Sequence, residues 1–153
     1  IRLSLVGSEM CIRDRAIVVL NPEASTGLQY SRKFNMQLSS KMRFVSAQLI
    51  ALLEGDLWLR NAQHANAMAQ RLRGAIEAGI AAGEITGVSF TQPTQSNGVF
   101  ATLPDGIADR LREKFRFYDW DAARNEVRWM CGFDTEESDV DEFVAELARL
   151  TTR

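Results

Sequence analysis

Arg128 is the strongest candidate for a functional residue in this sequence. It lies in a segment whose apolar and polar residues alternate as in a β-strand. Val127, Trp129 and Cys131 fall on one face of this segment, and Arg128 and Met130 fall on the other. The arginine keeps its charge, and its planar guanidinium offers two parallel donors that match a carboxylate. One interpretation is a binding site for a substrate carboxylate. The pattern alone favours the other, a solvent-facing arginine on an edge strand or one paired with a structural acid.

A second group of basic residues comprises Arg32, Lys33, Lys41 and Arg43. Lys41 and Arg43 flank the start of a predicted apolar helix, whose N-terminus carries a partial positive charge that favours anions. This arrangement is compatible with a phosphate or carboxylate site. A solvated basic face is the alternative that the pattern itself favours.

The remaining reactive side chains give weaker signals. His64 is predicted on the polar side of its helix, which is typical of a surface histidine rather than of a general base. Cys11 and Cys131 have no spacing that indicates a metal site or a disulfide framework. No nucleophile elbow, phosphate-binding loop or dinucleotide motif is present, and the sequence predicts no metal site.

Aromatic residues cluster near the predicted strands of the C-terminal half. Phe117, Tyr118 and Trp120 could stack on a flat ring, but aromatic residues in a small sheet more often form the core or a domain interface. We therefore expect these three rings to be structural.

Composition excludes some classes of function. The chain has 153 residues, a formal net charge of −2 and 25% charged residues, which is typical of one globular domain. Its 18 basic residues are dispersed, which argues against nucleic acid or an anionic membrane as the main partner. No apolar run approaches the roughly 20 residues of a membrane-spanning helix. A reducing cytoplasm is the expected compartment.

The elements that would position these residues can be predicted from periodicity. Residues 16–20 are apolar and β-branched, and Asn21 and Pro22 follow them, which predicts a buried strand of a parallel sheet. A helix is predicted over residues 42–53, and its apolar stripe comprises Met42, Val45, Leu49 and Leu52 or Leu53. A second helix is predicted to run from residue 57 to about residue 78.

The C-terminal half predicts a small α+β domain with an antiparallel sheet. Strands are predicted over the following ranges: 87–90, 97–103, 115–120 and 126–133. Helices are predicted over 104–115 and 136–150, the latter with a capping pair of Asp134 and Glu137.

The first fifteen residues do not match the rest of the sequence. They are IRLSLVGSEMCIRDR, without helical or strand periodicity. The string at 4–15 resembles a translated sequencing adapter, so we expect residues 1–15 to be an artefact that packs poorly against the native segment. A natural irregular arm is the alternative. On this interpretation the native sequence begins at Ala16 and its upstream part is missing.

Three longer segments identify a family resemblance. They are SKMRFVSAQ at 40–48, LEGDLWLRNAQHANAMA at 53–69 and VRWMCGFDT at 127–135. Together they resemble the C-terminal third of low-specificity L-threonine aldolases, particularly the bacterial branch that includes phenylserine aldolases. The resemblance covers nearly all of residues 16–153, and the segments occur in the family's order.

The resemblance implies an α/β enzyme of the aspartate-aminotransferase-like fold that uses pyridoxal 5'-phosphate. Residues 16–56 would end the large cofactor-binding domain, and residues 57–153 would form the connecting helix and the small C-terminal domain. The lysine that forms the Schiff base with the cofactor would lie just upstream of Ala16. The chain by itself is therefore expected to be inactive and not to bind the cofactor specifically.

The resemblance also implies roles for three residues. Arg128 would bind the substrate α-carboxylate, and Arg43, with Lys41 as a weaker candidate, would lie near the cofactor phosphate or the mouth of the active site. The intact parent would cleave L-threonine, L-allo-threonine or a related β-hydroxy-α-amino acid to glycine and an aldehyde, as a homodimer or homotetramer. The competing interpretation is a non-catalytic α+β binding module, such as an RNA-binding domain. Net acidity and the lack of a predicted exposed aromatic-basic strand face argue against it.

Overall fold

A computed structural model describes residues 19–37 and 40–152 of the chain. The described residues divide into two compact units at residue 58, and each unit is treated separately below. Residues 1–15, interpreted above as an artefact, and residues 16–18 of the predicted first strand lie outside the described residues.

The first unit is helical in its described part. A 3₁₀ turn, Pro22–Ser25, begins after Asn21, whose side chain accepts a hydrogen bond from the Glu23 amide. Helix α1 spans Leu28–Phe34, and helix α2 spans Met42–Leu53. The second of these matches the predicted range.

The predicted strand at 16–20 is not formed at its described end. Val19 and Leu20 lie in no strand, and Leu20 is 89% exposed. The apolar run indicated burial, but a strand also needs a neighbouring strand to satisfy its backbone hydrogen bonds. The described part of the first unit offers none.

The first part of the predicted stripe of α2 is the least exposed side of the helix. Met42, Val45 and Leu49 are half-buried, whereas no residue of the helix is fully buried. Leu52 and Leu53, which complete the predicted stripe, are 38% and 58% exposed, so the prediction is wrong for the last turn of α2.

Helix α3 spans Leu57–Ala82, four residues beyond its predicted end. It ends at Gly83, whose φ of +77° is the left-handed conformation that glycine adopts without strain. The amides of Glu84 and Ile85 donate hydrogen bonds back to the Gly79 carbonyl, which closes the helix end. Its buried positions are Ala65, Met68, Ala69, Leu72, Ile76 and Gly79.

The second unit contains a four-stranded antiparallel sheet. Its strands are β1 (Ser89–Phe90), β2 (Gly98–Thr102), β3 (Tyr118–Asp121) and β4 (Glu126–Met130), in the spatial order β1-β2-β4-β3. Helix α4 (Ile107–Arg112) lies between β2 and β3 in sequence, and helix α5 (Glu137–Thr151) follows β4. The predicted mixed fold with an antiparallel sheet is confirmed.

Several predicted elements were too long. The strand predicted over 115–120 begins only at Tyr118, because Phe115 and Phe117 are core residues of the preceding loop. The strand predicted over 126–133 ends at Met130, and the helix predicted over 104–115 spans six residues. In each case the apolar periodicity of the sequence continues beyond the residues that form the backbone hydrogen bonds of the strand or helix.

The core of the second unit lies on one face of the sheet. Val99, Ala101, Val127 and Trp129 point into it and are fully buried. Phe143 of α5 contacts Trp129 edge to face, with ring centroids 5.1 Å apart. The opposite face of β2, β3 and β4 is the more exposed one, and it is called the open face below.

The start of α5 is capped by a different pair from the one predicted. Glu136 is the N-cap residue, and Asp139 Oδ2 accepts a hydrogen bond from the Glu136 amide at 2.9 Å. The prediction of Asp134 and Glu137 was wrong because Thr135 is used elsewhere: its hydroxyl accepts a hydrogen bond from the Gly132 amide and closes a turn before the helix. The capping motif is therefore shifted by two residues.

Candidate functional site

Arg128 lies in the middle of the open face. It pairs with Phe100 on β2 and with Tyr118 on β3, so a neighbouring strand flanks it on each side. The adjacent residue, Trp129, is buried in the core on the opposite face. The predicted alternation of this segment is confirmed, and Arg128 is half-buried.

The guanidinium of Arg128 contacts an aromatic ring rather than an acid. Its Cζ lies 5.1 Å from the centroid of the Trp120 ring. Phe100 contacts Trp120 nearly edge-on, with centroids 5.1 Å apart and an interplanar angle of 77°. The open face thus combines one cation with packed aromatic rings.

The position of Trp120 results from an irregularity in β3. Asp119 pairs with Val127 and Asp121 pairs with Glu126, so Trp120 is the extra residue of a β-bulge. Its ring is 51% exposed, and that of Tyr118 is 58% exposed. Phe117 is a core residue, as expected, whereas Tyr118 and Trp120 lie outside the core.

Arg128 differs from the other half-buried arginines of the described ranges, 19–37 and 40–152. Arg73 forms an ion pair with Glu77, and Arg112 forms ion pairs with Asp109 and Asp119. No carboxylate of the described residues lies within 4.0 Å of the Arg128 guanidinium. The interpretation of Arg128 as the partner of a structural acid therefore has no support in this part of the chain.

Strand alternation places the carboxylate of Glu126 on the same face of β4 as Arg128, but this carboxylate already has other partners. Glu126 precedes Arg128 by two residues and is only 2% exposed. It accepts a hydrogen bond of 2.5 Å from the Thr91 hydroxyl, and Arg124 lies 3.4 Å from its second oxygen. Sequence analysis missed this buried acid, although its position two residues before Arg128 was visible. Its partners leave Arg128 available for another anion.

Lys41 and Arg43 are exposed residues of the first unit. Lys41 is the N-cap residue of α2, and the Arg43 guanidinium lies 4.9 Å from the centroid of its neighbour Phe44. Within the described residues, no carboxylate forms an ion pair with either side chain. Both cations lie at the start of a twelve-residue helix, whose N-terminus carries a partial positive charge.

The weaker candidates behave as structural residues. His64 is exposed, and its Nε2 lies 2.7 Å from the Thr135 carbonyl oxygen. Burial raises the pKa of the Cys131 thiol to about 11. Among residues 19–37 and 40–152, no cluster of three or more His, Cys, Asp or Glu side chains could hold a metal ion. In the same residues, no helix is both long and apolar enough to cross a membrane.

Comparison with known proteins identifies the relatives of this chain. No protein-family model matches it. A low-specificity L-threonine aldolase from Pseudomonas sp. is 38% identical over 133 residues, which is 86% of this chain. A second, from Pseudomonas aeruginosa, is 36% identical over 135 residues, or 88% of this chain. The chain is a relative of the low-specificity L-threonine aldolases.

The structural comparison agrees with the sequence comparison. A solved structure of Leishmania major threonine aldolase superposes with a TM-score of 0.59 and 25% identity, over 70% of this chain and 30% of that one. The chain spans about a third of the length of the curated relatives, since each match covers 36% of the aldolase. The predicted family resemblance is confirmed, and the mixed helix and antiparallel sheet match a threonine aldolase fold.

The described part of the chain has an exposed aromatic-basic strand face. Sequence analysis predicted no exposed aromatic-basic strand face, yet Tyr118, Trp120 and Arg128 form one. The prediction failed because alternation assigns residues to two faces of a sheet without indicating which face is covered. The relationship to the aldolases and the net charge of −2 still weigh against a nucleic-acid-binding module.

Proposed function

We propose that this chain contributes the substrate-carboxylate site of an aldolase that cleaves β-hydroxy-α-amino acids, such as L-threonine or L-allo-threonine, to glycine and an aldehyde. One observation carries the proposal. Arg128 is half-buried on an open sheet face and lacks a carboxylate partner among the described residues, whereas the comparable Arg73 and Arg112 both have one. A charged group held in this way is suited to an anionic ligand that arrives from outside the chain.

Arg128 would act by orientation. Two parallel N–H groups of a guanidinium bind both oxygens of a carboxylate and so fix its plane. An amino acid held by its α-carboxylate presents its Cα–Cβ bond in one direction, which lowers the entropic cost of reaching the reactive geometry. The half-buried, aromatic surroundings reduce the competition from water and strengthen the ion pair.

The cofactor of the proposed reaction is pyridoxal 5'-phosphate. When bound, it accepts the electron pair that the Cα–Cβ bond leaves on Cα. Arg43, with Lys41 as a weaker candidate, would lie near its phosphate or at the mouth of the active site, since both are exposed cations at the start of α2 and neither forms an ion pair within the described residues. We further propose that the whole protein works in the cytoplasm as a homodimer or homotetramer.

A chimeric enzyme tests the proposal. Because the chain spans about a third of the curated relatives, residues 16–153 would replace the matching segment of the Pseudomonas aldolase. The chimera should release aldehyde from L-threonine when the cofactor is bound. Arg128→Ala should lower its kcat/KM at least about tenfold, because charge-assisted hydrogen bonds contribute about 1.5–3 kcal/mol each. Arg128→Lys keeps the charge but loses the paired geometry, so it should also be impaired.

Arg116→Ala provides the matched control. Arg116 is exposed and forms no ion pair with a described residue, and its removal should leave kcat/KM unchanged. Cofactor occupancy, read from absorbance, should be the same in all variants. An Arg128→Ala chimera with unaltered kcat/KM at full occupancy would show that Arg128 is only a structural residue.

The exposed aromatic face supports a second candidate function, a non-catalytic binding module. Trp120, Tyr118 and Arg128 could stack on and neutralise a single-stranded nucleic acid. The net charge of −2 and the dispersed basic residues weigh against it. Titration of the chain with an RNA oligonucleotide at low salt decides between them, since the aldolase proposal expects no change in tryptophan fluorescence.

A further inference from the structure

We infer that Trp120 is a positioning residue for Arg128, which holds the guanidinium in place while leaving its hydrogen-bonding edge free for the substrate carboxylate. The inference rests on the proposed function and adds a specific residue to it. An arginine side chain has several rotatable bonds, so an unpaired arginine on a strand loses much freedom when it binds a ligand. A contact that restricts the side chain beforehand reduces this loss.

An aromatic ring can restrict a guanidinium without occupying its donors. A carboxylate partner, such as Asp109 at Arg112, uses the same N–H groups that a substrate would need. A ring contacts the face of the guanidinium plane, and the N–H groups point outward from the edge of that plane. The Arg128 Cζ lies 5.1 Å from the centroid of the Trp120 ring, which is close enough for the ring to restrict the guanidinium without supplying a carboxylate or carbonyl acceptor.

The bulge in β3 explains how the Trp120 ring can contact the Arg128 guanidinium. Trp120 is the unpaired extra residue between two paired neighbours, and a bulge redirects the side chain it carries. Phe100, from β2 on the far side of β4, contacts Trp120 edge to face. The ring thus reaches across β4 and is supported by a residue two strands away, with Arg128 on the strand between them.

Arginine side-chain dynamics in the full chain test the inference directly. With ¹⁵N-labelled protein, the Nε–Hε order parameter of Arg128 should be high in the wild type and should fall below about 0.6, the range of flexible groups, in Trp120→Ala. Trp120→Phe keeps a ring and should retain most of the order. Arg73, which is held by Glu77 and by the Gln92 carbonyl, is the internal reference and should not change. Equal order at Arg128 in Trp120→Ala and the wild type would overturn the inference.

The chimeric enzyme gives the functional readout. Trp120→Ala should raise KM for the amino acid about three- to tenfold, with a smaller effect on kcat, and Trp120→Phe should restore most of the affinity. Phe133→Ala removes an exposed ring that lies outside the strands of the sheet, and it serves as the control.

The two proposals fail in different ways. If Arg128→Ala impairs the chimera and Trp120→Ala leaves KM unchanged, the positioning role is wrong and the proposed function stands. If Arg128→Ala leaves the activity intact, the proposed function is wrong, and the positioning of Arg128 by Trp120 is then decided by the order parameters alone.

Discussion

His64 and Thr135 are 71 residues apart in sequence, and a 2.7 Å hydrogen bond joins the imidazole Nε2 of one to the carbonyl oxygen of the other. A carbonyl oxygen can only accept, so Nε2 is the donor. The bond ties α3 to the turn between β4 and α5, and this turn follows directly after the strand that carries Arg128. His64 therefore has a structural role, consistent with the prediction of a surface histidine.

We expect His64→Ala to lower the free energy of unfolding by about 0.5–1.5 kcal/mol relative to Gln63→Ala, because one hydrogen bond is lost. Gln63 is the exposed neighbour on the same helix, so this control cancels the helix propensity that alanine adds. Urea unfolding followed by circular dichroism measures the difference. Equal stabilities would show that the hydrogen bond contributes nothing.

The Trp129 side chain should be important for its volume and not for its N–H group. It is fully buried against Phe143 and Phe117, and its indole Nε1 has no hydrogen-bond partner among the described residues. Trp129→Ala should cost about 3–5 kcal/mol, because it leaves a large cavity. Trp129→Phe retains an aromatic ring and loses no hydrogen bond, so its cost should be clearly smaller. Chemical denaturation ranks the two, and a Phe variant as unstable as the Ala variant contradicts the expectation.

Two glycines with the same backbone conformation should respond differently to alanine. Gly83 and Gly87 have φ values of +77° and +74°, which strain any residue with a Cβ. A Cβ at Gly83 would meet nothing within 4 Å, whereas one at Gly87 would lie 2.7 Å from Pro104 Cγ. Gly83→Ala should cost about 1–2 kcal/mol from the backbone alone. Gly87→Ala should cost more, because the rigid proline ring must also move, and thermal unfolding of the pair tests this order.

The buried thiol of Cys131 should be slow to react in the folded chain. Burial raises its pKa from 9.0 to about 11, so the reactive thiolate is about a hundredfold rarer at neutral pH. In a Cys11→Ser background, a disulfide reagent should modify Cys131 at a normal rate only after denaturation. The unfolded thiol ionises before the folded one does, so the stability contributed by this group is lost as pH rises from about 9 to about 11. Rapid labelling of the folded variant at pH 8 would contradict the burial of Cys131.

Sequence patterns predicted the elements whose periodicity is long or regular. Helix α2 was predicted at its observed bounds, and the alternation around Arg128 correctly separated it from Trp129. Both rest on repeated spacing within one element, which a single sequence contains.

Features that depend on contacts between elements were not predicted. The bulge at Trp120 depends on the register of β3 against β4, and the burial of Glu126 depends on Thr91 in a distant loop. The exposure of Trp120 depends on which face of the sheet the helices cover. The site residue could thus be found from sequence, but the ring that contacts it could not.

The edges of the sheet have a consequence for self-association. A long unpaired edge strand offers its amides and carbonyls to a second chain, and this is a common start of aggregation. Here β1 is only two residues long, and β3 is interrupted by its bulge and carries Asp119 and Asp121. At the β1 edge, too few backbone groups are available to pair with a strand from another molecule. At the β3 edge, the bulge interrupts the backbone hydrogen-bonding pattern, and two carboxylates add negative charge. The same irregularity that turns Trp120 toward Arg128 therefore also protects this sheet from growing by addition of strands from other molecules.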